Sequence, residues 1–148
     1  MCIRDSNGTE RIASVAKKFN ERLIVDIQGD EPLIKPSYID KLINLHFNHK
    51  LRPEIIIPSI QTNYSVDDTN VRVLSSNSGR IMYLSRAKVP HQYKEFIHSV
   101  SKHVSVISFE KKALVKYSSL KKSKYETIED VELLRALEND MRVYKVKL

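Results

Sequence analysis

Hydrophobic positions in the first half of the chain alternate between helical spacing and short continuous runs. Helical spacing within "TERIASVAKKF" predicts a helix with one apolar face, made of Ile12, Val15, Ala16 and Phe19. The run "RLIVDI" that follows is typical of a strand covered on both faces. A second helical segment, "KPSYIDKLINLHFNH", and a second apolar strand, "EIIIPSI", repeat this order. The alternation predicts an α/β fold in which helices sandwich a mostly parallel sheet.

The pattern changes between about residues 70 and 109. The stretch "NVRVLSSNSGRIMYLSR" predicts two strands around a turn, because "NSG" supplies residues that tolerate a positive φ. The stretch "KHVSVISF" alternates between apolar and polar residues, as a half-buried strand does. We therefore expect this region to form an antiparallel meander.

The segment "TIEDVELLRALEND" predicts one continuous helix near the end of the chain. Thr127 is suited to cap that helix, and Glu129 and Asp130 would lie in its first turn. The segment "RVYKVKL" predicts a closing strand. Because no repeat or Pro/Gly-rich linker interrupts the pattern, we expect a single domain over residues 1–148.

Composition is that of a globular chain. Its 148 residues are 41% hydrophobic and 29% charged, and no apolar run is long enough to span a bilayer, so we expect no membrane insertion. The lone cysteine, Cys2, cannot form an internal disulfide, which fits a reducing compartment such as the cytoplasm. The formal charge of +7 is compatible with nucleic-acid binding. However, the lysines are scattered and interleaved with acids, so we predict no nucleic-acid partner and keep a non-catalytic basic binding domain as an alternative.

The loop "DIQGDEP" follows the first predicted strand and is the strongest candidate for chemistry. Gly, Asp and Pro are common turn residues, so a plain turn is one interpretation. A ligand site is the other, because ligands collect at the carboxyl ends of strands in open α/β sheets. A carboxylate such as Asp30 at that position could hold Mg²⁺ together with substrate phosphates. The pattern alone leaves both interpretations open.

Five collinear segments resemble one enzyme family. The segment "IVDIQGDEPLI" is similar to the signature of the CMP-Kdo synthetases, the 3-deoxy-manno-octulosonate cytidylyltransferases. The segments "NGTERIASVA", "NVRVLSSNSGRIMYLSRAKVP", "KHVSVISF" and "YETIEDVELLRALEND" resemble further motifs of that family, in the same order. The resemblance implies a Rossmann-like fold of the nucleotide-diphospho-sugar transferase type, with a dimerisation region within the meander.

The resemblance also implies a reaction. Members of that family join CTP to the sugar acid Kdo and release pyrophosphate, for lipopolysaccharide biosynthesis, with Mg²⁺ as the cofactor. It implies a homodimer and makes Asp30 the catalytic magnesium ligand. The residues that it assigns to the nucleotide are Asn7, Gly8, Thr9, Gln28 and Gly29. The residues that it assigns to the sugar are Gln28, Arg86, His103, Glu126 and Glu129.

Each sugar-binding candidate has a structural alternative. Arg86 could end a strand at the surface, although a fixed cation suits the carboxylate of a sugar acid. His103 could be an ordinary residue of a half-buried strand. Glu126 and Glu129 lie near a predicted helix start, where the helix dipole favours acids in any protein. His46 and the other histidines lack the spacing of metal ligands, so we do not expect a zinc site.

The chain also departs from that family. Family members open with a P-A-R…S-x-R-L-P-G-K-P segment that cradles the CTP phosphates and close with a V-D-T-P-E-D segment that supplies a second metal-binding aspartate, and neither is recognisable here. Residues 1–6 match nothing in the family, which suggests a non-native leader. We therefore expect an internal fragment that is inactive alone. The same chemistry on 8-amino-Kdo and a catalytically silent interaction domain are the alternatives.

Overall fold

A computed structural model describes residues 8–29, 32–64 and 69–147. The elements in chain order are α1 Gly8–Ala16, β1 Leu23–Ile27, α2 Pro36–Asn48, β2 Ile55–Asn63, β3 Arg72–Ser75, β4 Ile81–Ser85, β5 Ser99–His103, β6 Val106–Glu110, α3 Lys111–Ser119, α4 Lys124–Glu129, α5 Leu134–Glu138 and β7 Val143–Lys147. The predicted α/β class is confirmed.

The seven strands form one sheet around the long strand β2. The order is β1-β6-β2-β5-β3-β4, and β7 pairs with the opposite edge of β2. One edge of β2 pairs with β6 near Ile55 and with β5 from Ser59 onward, so β5 and β6 follow each other along the same neighbour. Together they act as one long strand that bends at residues 104 and 105.

The prediction of a mostly parallel sheet is wrong for the described residues. Among them, the pairing of β2 with β7 is parallel, whereas the other strand pairings are antiparallel. The cause is the insertion of β6 between β1 and β2. Since β1 and β2 are both antiparallel to β6, they still run in the same direction, as the helix–strand alternation predicted. The sequence pattern indicated their direction but not their neighbour.

Helices cover both faces of the centre of the sheet. Ile55 and Ile57 of β2 belong to the larger core cluster, together with Ala13 of α1 and Leu114 of α3. Ile56 between them belongs to a second cluster with Leu42 of α2 and with Val106 and Val146. The three consecutive isoleucines are fully buried because successive side chains of a strand point to opposite faces.

The hairpin between β3 and β4 packs its turn against β7. Gly79 in this turn has a φ of 84°, a conformation that side-chain-bearing residues rarely adopt. Its carbonyl accepts a hydrogen bond of 2.9 Å from the Lys145 N–H. β3 pairs antiparallel with both β4 and β5, so the antiparallel pairing predicted for this region is present. The region is not a simple meander, because β3 and not β4 lies in the middle.

The predicted continuous helix over "TIEDVELLRALEND" is two short helices. α4 ends at Glu129, Asp130 adopts a left-handed conformation with φ 52° and ψ 47°, and α5 begins at Leu134. Ser123, and not Thr127, is the N-cap of α4. The Thr127 hydroxyl donates to the Ser123 carbonyl at 2.8 Å from inside the helix. The break turns the backbone of residues 130–133 toward the sheet, where the candidate site lies.

Candidate functional site

A cavity of about 360 Å³ lies where β1 ends and where β5 bends into β6. The polar residues that line it are Gln28, Thr69, Arg86, His103, Ser105, Asp130 and Glu132. Gln28, Arg86 and His103 come from distant parts of the chain, and all three were predicted site residues. The fold thus brings them together at one opening. Their roles in binding stay predictions.

Backbone hydrogen bonds position the first two of these residues. The Gln28 N–H donates to the Ser105 carbonyl at 3.0 Å, which ties the end of β1 to the bend between β5 and β6. The His103 N–H donates to the Val71 carbonyl at 2.9 Å, which ties the end of β5 to the start of β3. The cavity therefore sits on sheet backbone, a rigid support for side chains that contact a ligand.

Gly29 directly after Gln28 is exposed and faces open space. A Cβ atom added there would meet nothing within 4 Å. Gly8, at the start of α1, is exposed and open in the same way. Asp30 and Asn7, the neighbours of these glycines, lie outside the described residues. The prediction that Asp30 is a metal ligand therefore stays a prediction.

Arg86 is anchored by the backbone around it. Its Nε donates to the Glu129 carbonyl at 3.1 Å, one Nη to the Thr69 carbonyl at 3.1 Å and the other Nη to the Asp130 carbonyl at 3.1 Å. A guanidinium has five N–H donors, so these three bonds leave at most two for a ligand. Because carbonyl oxygens are neutral, the positive charge of Arg86 still faces the cavity.

Glu129 supports Arg86 and does not line the cavity. Its Oε2 accepts a hydrogen bond from the Arg86 N–H at 2.9 Å, and its Oε1 accepts from the Ser85 hydroxyl at 2.8 Å and from the Tyr83 hydroxyl at 3.3 Å. Burial raises the pKa of Tyr83, and the negative charge of Glu129 raises it further. The geometry therefore places Glu129 behind the cavity wall.

Glu126 lies further from the cavity than the sequence prediction supposed. It is 3% exposed, and both of its carboxylate oxygens accept hydrogen bonds from Arg135, at 2.8 and 2.6 Å. It also accepts from the Ser123 N–H at 3.0 Å, at the start of α4. The contacts of Glu126 are those of a residue that joins helices.

Thr9 approaches the cavity through Glu132. The buried Thr9 hydroxyl donates a 2.6 Å hydrogen bond to Glu132 Oε2, which brings the first turn of α1 to the cavity wall. Sequence reasoning missed Glu132, Asp130 and Ser105. Asp130 and Glu132 both lie in the acidic segment "IEDVELLR", which was the sequence signal that could have identified them. We predicted one continuous helix there, and in such a helix Glu132 would not reach the sheet.

Comparison with known proteins identifies the family. A cytidylyltransferase family model matches residues 4–143. The chain belongs to the cytidylyltransferase family. The 3-deoxy-manno-octulosonate cytidylyltransferase of Leptospira interrogans serogroup Icterohaemorrhagiae serovar Lai is 36% identical over 138 residues, which are 89% of this chain and 54% of that protein. The protein of the same name from Solibacter usitatus is 34% identical over 147 residues, which are 95% of this chain and 57% of that protein.

A solved structure shows the same fold. It is described as a CMP:2-keto-3-deoxy-manno-octonic acid synthetase complexed with CTP, and it aligns with a TM-score of 0.90 at 22% sequence identity over 98% of this chain and 61% of its own. The chain spans little more than half the length of the curated relatives it matches. Among its described residues, no helix is both long and apolar enough to cross a membrane.

The described part of the chain offers oxygen donors at the cavity. Within it, no group of three or more His, Cys, Asp or Glu side chains is arranged to hold a metal ion. Magnesium in nucleotide sites usually takes one or two carboxylates, substrate phosphates and water. The carboxylates of Asp130 and Glu132 line the cavity and are donors of this kind, so the residues present are chemically compatible with Mg²⁺.

Proposed function

We propose that this chain forms part of an enzyme that transfers CMP from CTP to the sugar acid Kdo, for lipopolysaccharide biosynthesis. The observation that carries the proposal is the meeting of Gln28, Arg86 and His103 at one cavity in a chain of the cytidylyltransferase family. The names of the relatives support Kdo as the acceptor and CTP as the donor. Because CTP is the donor, we expect the reaction to take place in the cytoplasm.

The proposed reaction is a displacement at phosphorus. The anomeric hydroxyl oxygen of Kdo forms a bond to the α-phosphorus of CTP, and the bond from that phosphorus to the bridging oxygen of the β-phosphate breaks. Pyrophosphate leaves with the bonding electrons, and the hydroxyl proton passes to water or to a basic group. The products are CMP-Kdo and pyrophosphate.

The residues of the cavity suit a sugar acid. We propose that the fixed positive charge of Arg86 faces the Kdo carboxylate, and that His103 and Gln28 donate to or accept from its hydroxyls. We propose that Gly8, Thr9 and Gly29, with Asn7, border the nucleotide. Glu129 and Glu126 were predicted to contact the sugar, but their hydrogen bonds favour an indirect role in which they hold Arg86 and Arg135.

We propose Mg²⁺ as the cofactor, held by Asp30. Bound Mg²⁺ offsets negative charge on the phosphates during the displacement. Asp130 and Glu132 make the cavity at the carboxyl end of β1 acidic. Arg86, His103 and Gln28 orient the sugar acid.

We propose further that the protein acts as a homodimer through the region from about residue 70 to 109. This region exposes large apolar side chains, among them Met82, Tyr93 and Phe96, which are 67%, 83% and 80% exposed. Exposed apolar groups of this size are typical of interaction surfaces when they occur together. Light scattering at working concentration should give twice the chain mass, and a monomer would contradict the proposal.

The functional proposal is tested by pyrophosphate release. Release should require CTP, Kdo and Mg²⁺ together when the chain is extended by the two terminal family segments that are not recognisable in it, and the 148-residue chain should release little. Kdo and 8-amino-Kdo are compared side by side to identify the acceptor. Release that is independent of any sugar acid, or that proceeds equally with ATP, would contradict the proposed function.

A further inference from the structure

A second and larger cavity lies at the opposite end of the sheet from the candidate site. Its volume is about 690 Å³, and its walls include Leu23 at the start of β1, Glu110 at the end of β6 and Arg142 just before β7. Gln28, by contrast, follows the end of β1. The two cavities are therefore separated by the length of the central strands, and nothing in the proposed transfer reaction uses the second one.

Positive charge dominates the lining of this second cavity, which we call the basic cavity. Among the described residues that line it, four carry a positive charge and one carries a negative charge. The cations are Arg22, Lys50, Arg52 and Arg142, and the carboxylate is Glu110. His46 at its base is buried and held neutral, since burial, helped by the nearby His49 and Arg22, lowers its pKa to about 4. The carboxylate of Glu54 lies 3.9 Å from Arg142 Nε and offsets part of this charge, but cations remain in excess, and such an excess concentrates anions.

The fold holds two of these arginines in place. Arg52 has a φ of 46°, which is strained for a residue with a side chain. Its N–H donates to the His49 carbonyl at 3.0 Å, and its carbonyl accepts from Arg142 Nε at 3.0 Å. Strained backbone of this kind persists where the surroundings hold it, and it concentrates at functional sites.

Two aromatic side chains shape the rest of the wall. The guanidinium carbon of Arg22 lies 5.8 Å from the centre of the Phe47 ring, so the cation stacks over an exposed aromatic face. The His49 Nδ1 accepts a hydrogen bond from the Leu51 N–H at 3.2 Å. Because Nδ1 accepts this bond, Nε2 carries a proton and adds a donor to the lining.

We propose that the basic cavity binds a compact anion that carries two or more phosphate groups. Guanidinium groups match the geometry of phosphate oxygens through paired N–H donors. A single phosphate would occupy a small part of about 690 Å³, whereas a chain of phosphates can reach cations on several walls. The shared chemistry is the polyphosphate group, either free or attached to a nucleoside.

Calorimetric titration of the 148-residue chain with inorganic triphosphate tests the proposal. The test variant is Arg22→Gln with Lys50→Gln, both at exposed positions, and the matched control is Lys121→Gln with Lys122→Gln, which loses the same charge away from the cavity. We expect the Kd to rise about tenfold or more in the first variant and less than about twofold in the control. Equal weakening in both variants, or no binding at millimolar concentration, would overturn the proposal.

Backbone chemical shifts of the unaltered chain locate the ligand without any substitution. Changes on adding triphosphate should cluster at Arg22, at residues 46–52 and at Arg142. Changes centred on Gln28 and His103 would instead overturn the proposal, because the anion would then occupy the candidate active site. A parallel titration with ATP distinguishes the two sources of the polyphosphate group. If ATP binds more tightly than inorganic triphosphate, the natural ligand is a nucleotide. If the two bind equally, the natural ligand is a free polyphosphate.

Discussion

Arg135 is fully buried and binds both carboxylate oxygens of Glu126, through Nε at 2.8 Å and through an Nη at 2.6 Å. The other Nη donates to Glu10 of α1 at 2.6 Å, and the guanidinium lies 4.8 Å from the centre of the Tyr117 ring. The hydrogen bonds that Arg135 donates to Glu126 raise the pKa of Arg135 above its ordinary value. This group of charges joins α1, α3, α4 and α5 behind the candidate site.

The first prediction follows from that ion pair. Glu126→Gln should lower the free energy of unfolding by about 3 kcal/mol, because it leaves the buried Arg135 charge without its main partner. Urea unfolding measures the loss. Glu95→Gln is the matched control, since Glu95 is exposed and its change should stay within about 0.5 kcal/mol. Unchanged stability together with weakened Kdo binding would instead support the direct sugar contact predicted from the sequence.

The second prediction concerns His46 and pH. Its folded-state pKa of about 4 lies below the ordinary 6.5, because burial disfavours the charged ring. Between these values the unfolded chain binds more protons than the folded chain, so the free energy of unfolding should fall as pH drops from 6.5 to 4. The stabilisation is fully present above pH 6.5 and amounts to about 3 kcal/mol.

The measurement is urea unfolding across that pH range, compared with His46→Gln. In the folded protein His46 Nε2 lies 3.2 Å from the Pro53 carbonyl, which can only accept, so Nε2 carries the proton and Nδ1 accepts from the Ser108 hydroxyl at 2.7 Å. The variant removes the titrating ring and should show a shallower pH dependence. An identical dependence in the two proteins would contradict the assignment.

The third prediction links Tyr83 to Glu129. The pKa of Tyr83 is raised by burial and by the Glu129 charge, so Glu129→Gln should move it back toward 10. Nuclear magnetic resonance of ring-labelled tyrosine follows the titration, and Tyr83→Phe identifies the signal. Glu138→Gln is the control, because Glu138 contributes less to the shift. A Tyr83 titration that is unchanged by Glu129→Gln would show that burial alone sets the pKa.

The fourth prediction tests the proposed metal ligand. In the chain extended by the two terminal family segments, Asp30→Asn should lower the rate of pyrophosphate release about a hundredfold or more, because the amide keeps the shape of the side chain but removes its charge. Asp40→Asn is the control, since Asp40 is exposed on α2 and should leave the rate unchanged. Parent-like release by Asp30→Asn over a magnesium titration would show that another group holds the metal.

Much of the candidate site could be predicted from short motifs. Gln28, Arg86 and His103 were selected from three separate segments of similarity, and the fold brings them to one cavity. Glu132 was missed because its position depends on the left-handed turn at Asp130. That turn is held in part by the bond from Arg86 to the Asp130 carbonyl, between residues that are far apart in the chain. No local spacing could reveal such a contact.

By itself, the sequence determined the kinds of element and the direction of the main strands. Periodicity of hydrophobic side chains is a local property, and it placed α1, β1, α2 and β2 in the correct order. Only the tertiary structure decided that β6 enters between β1 and β2 and that Glu126 pairs with a buried arginine. Both depend on backbone and charged groups finding partners across the fold, where an unpaired buried group would cost free energy. Such pairings depend on the packing of the whole chain, so they cannot be predicted from hydrophobic periodicity, which is local.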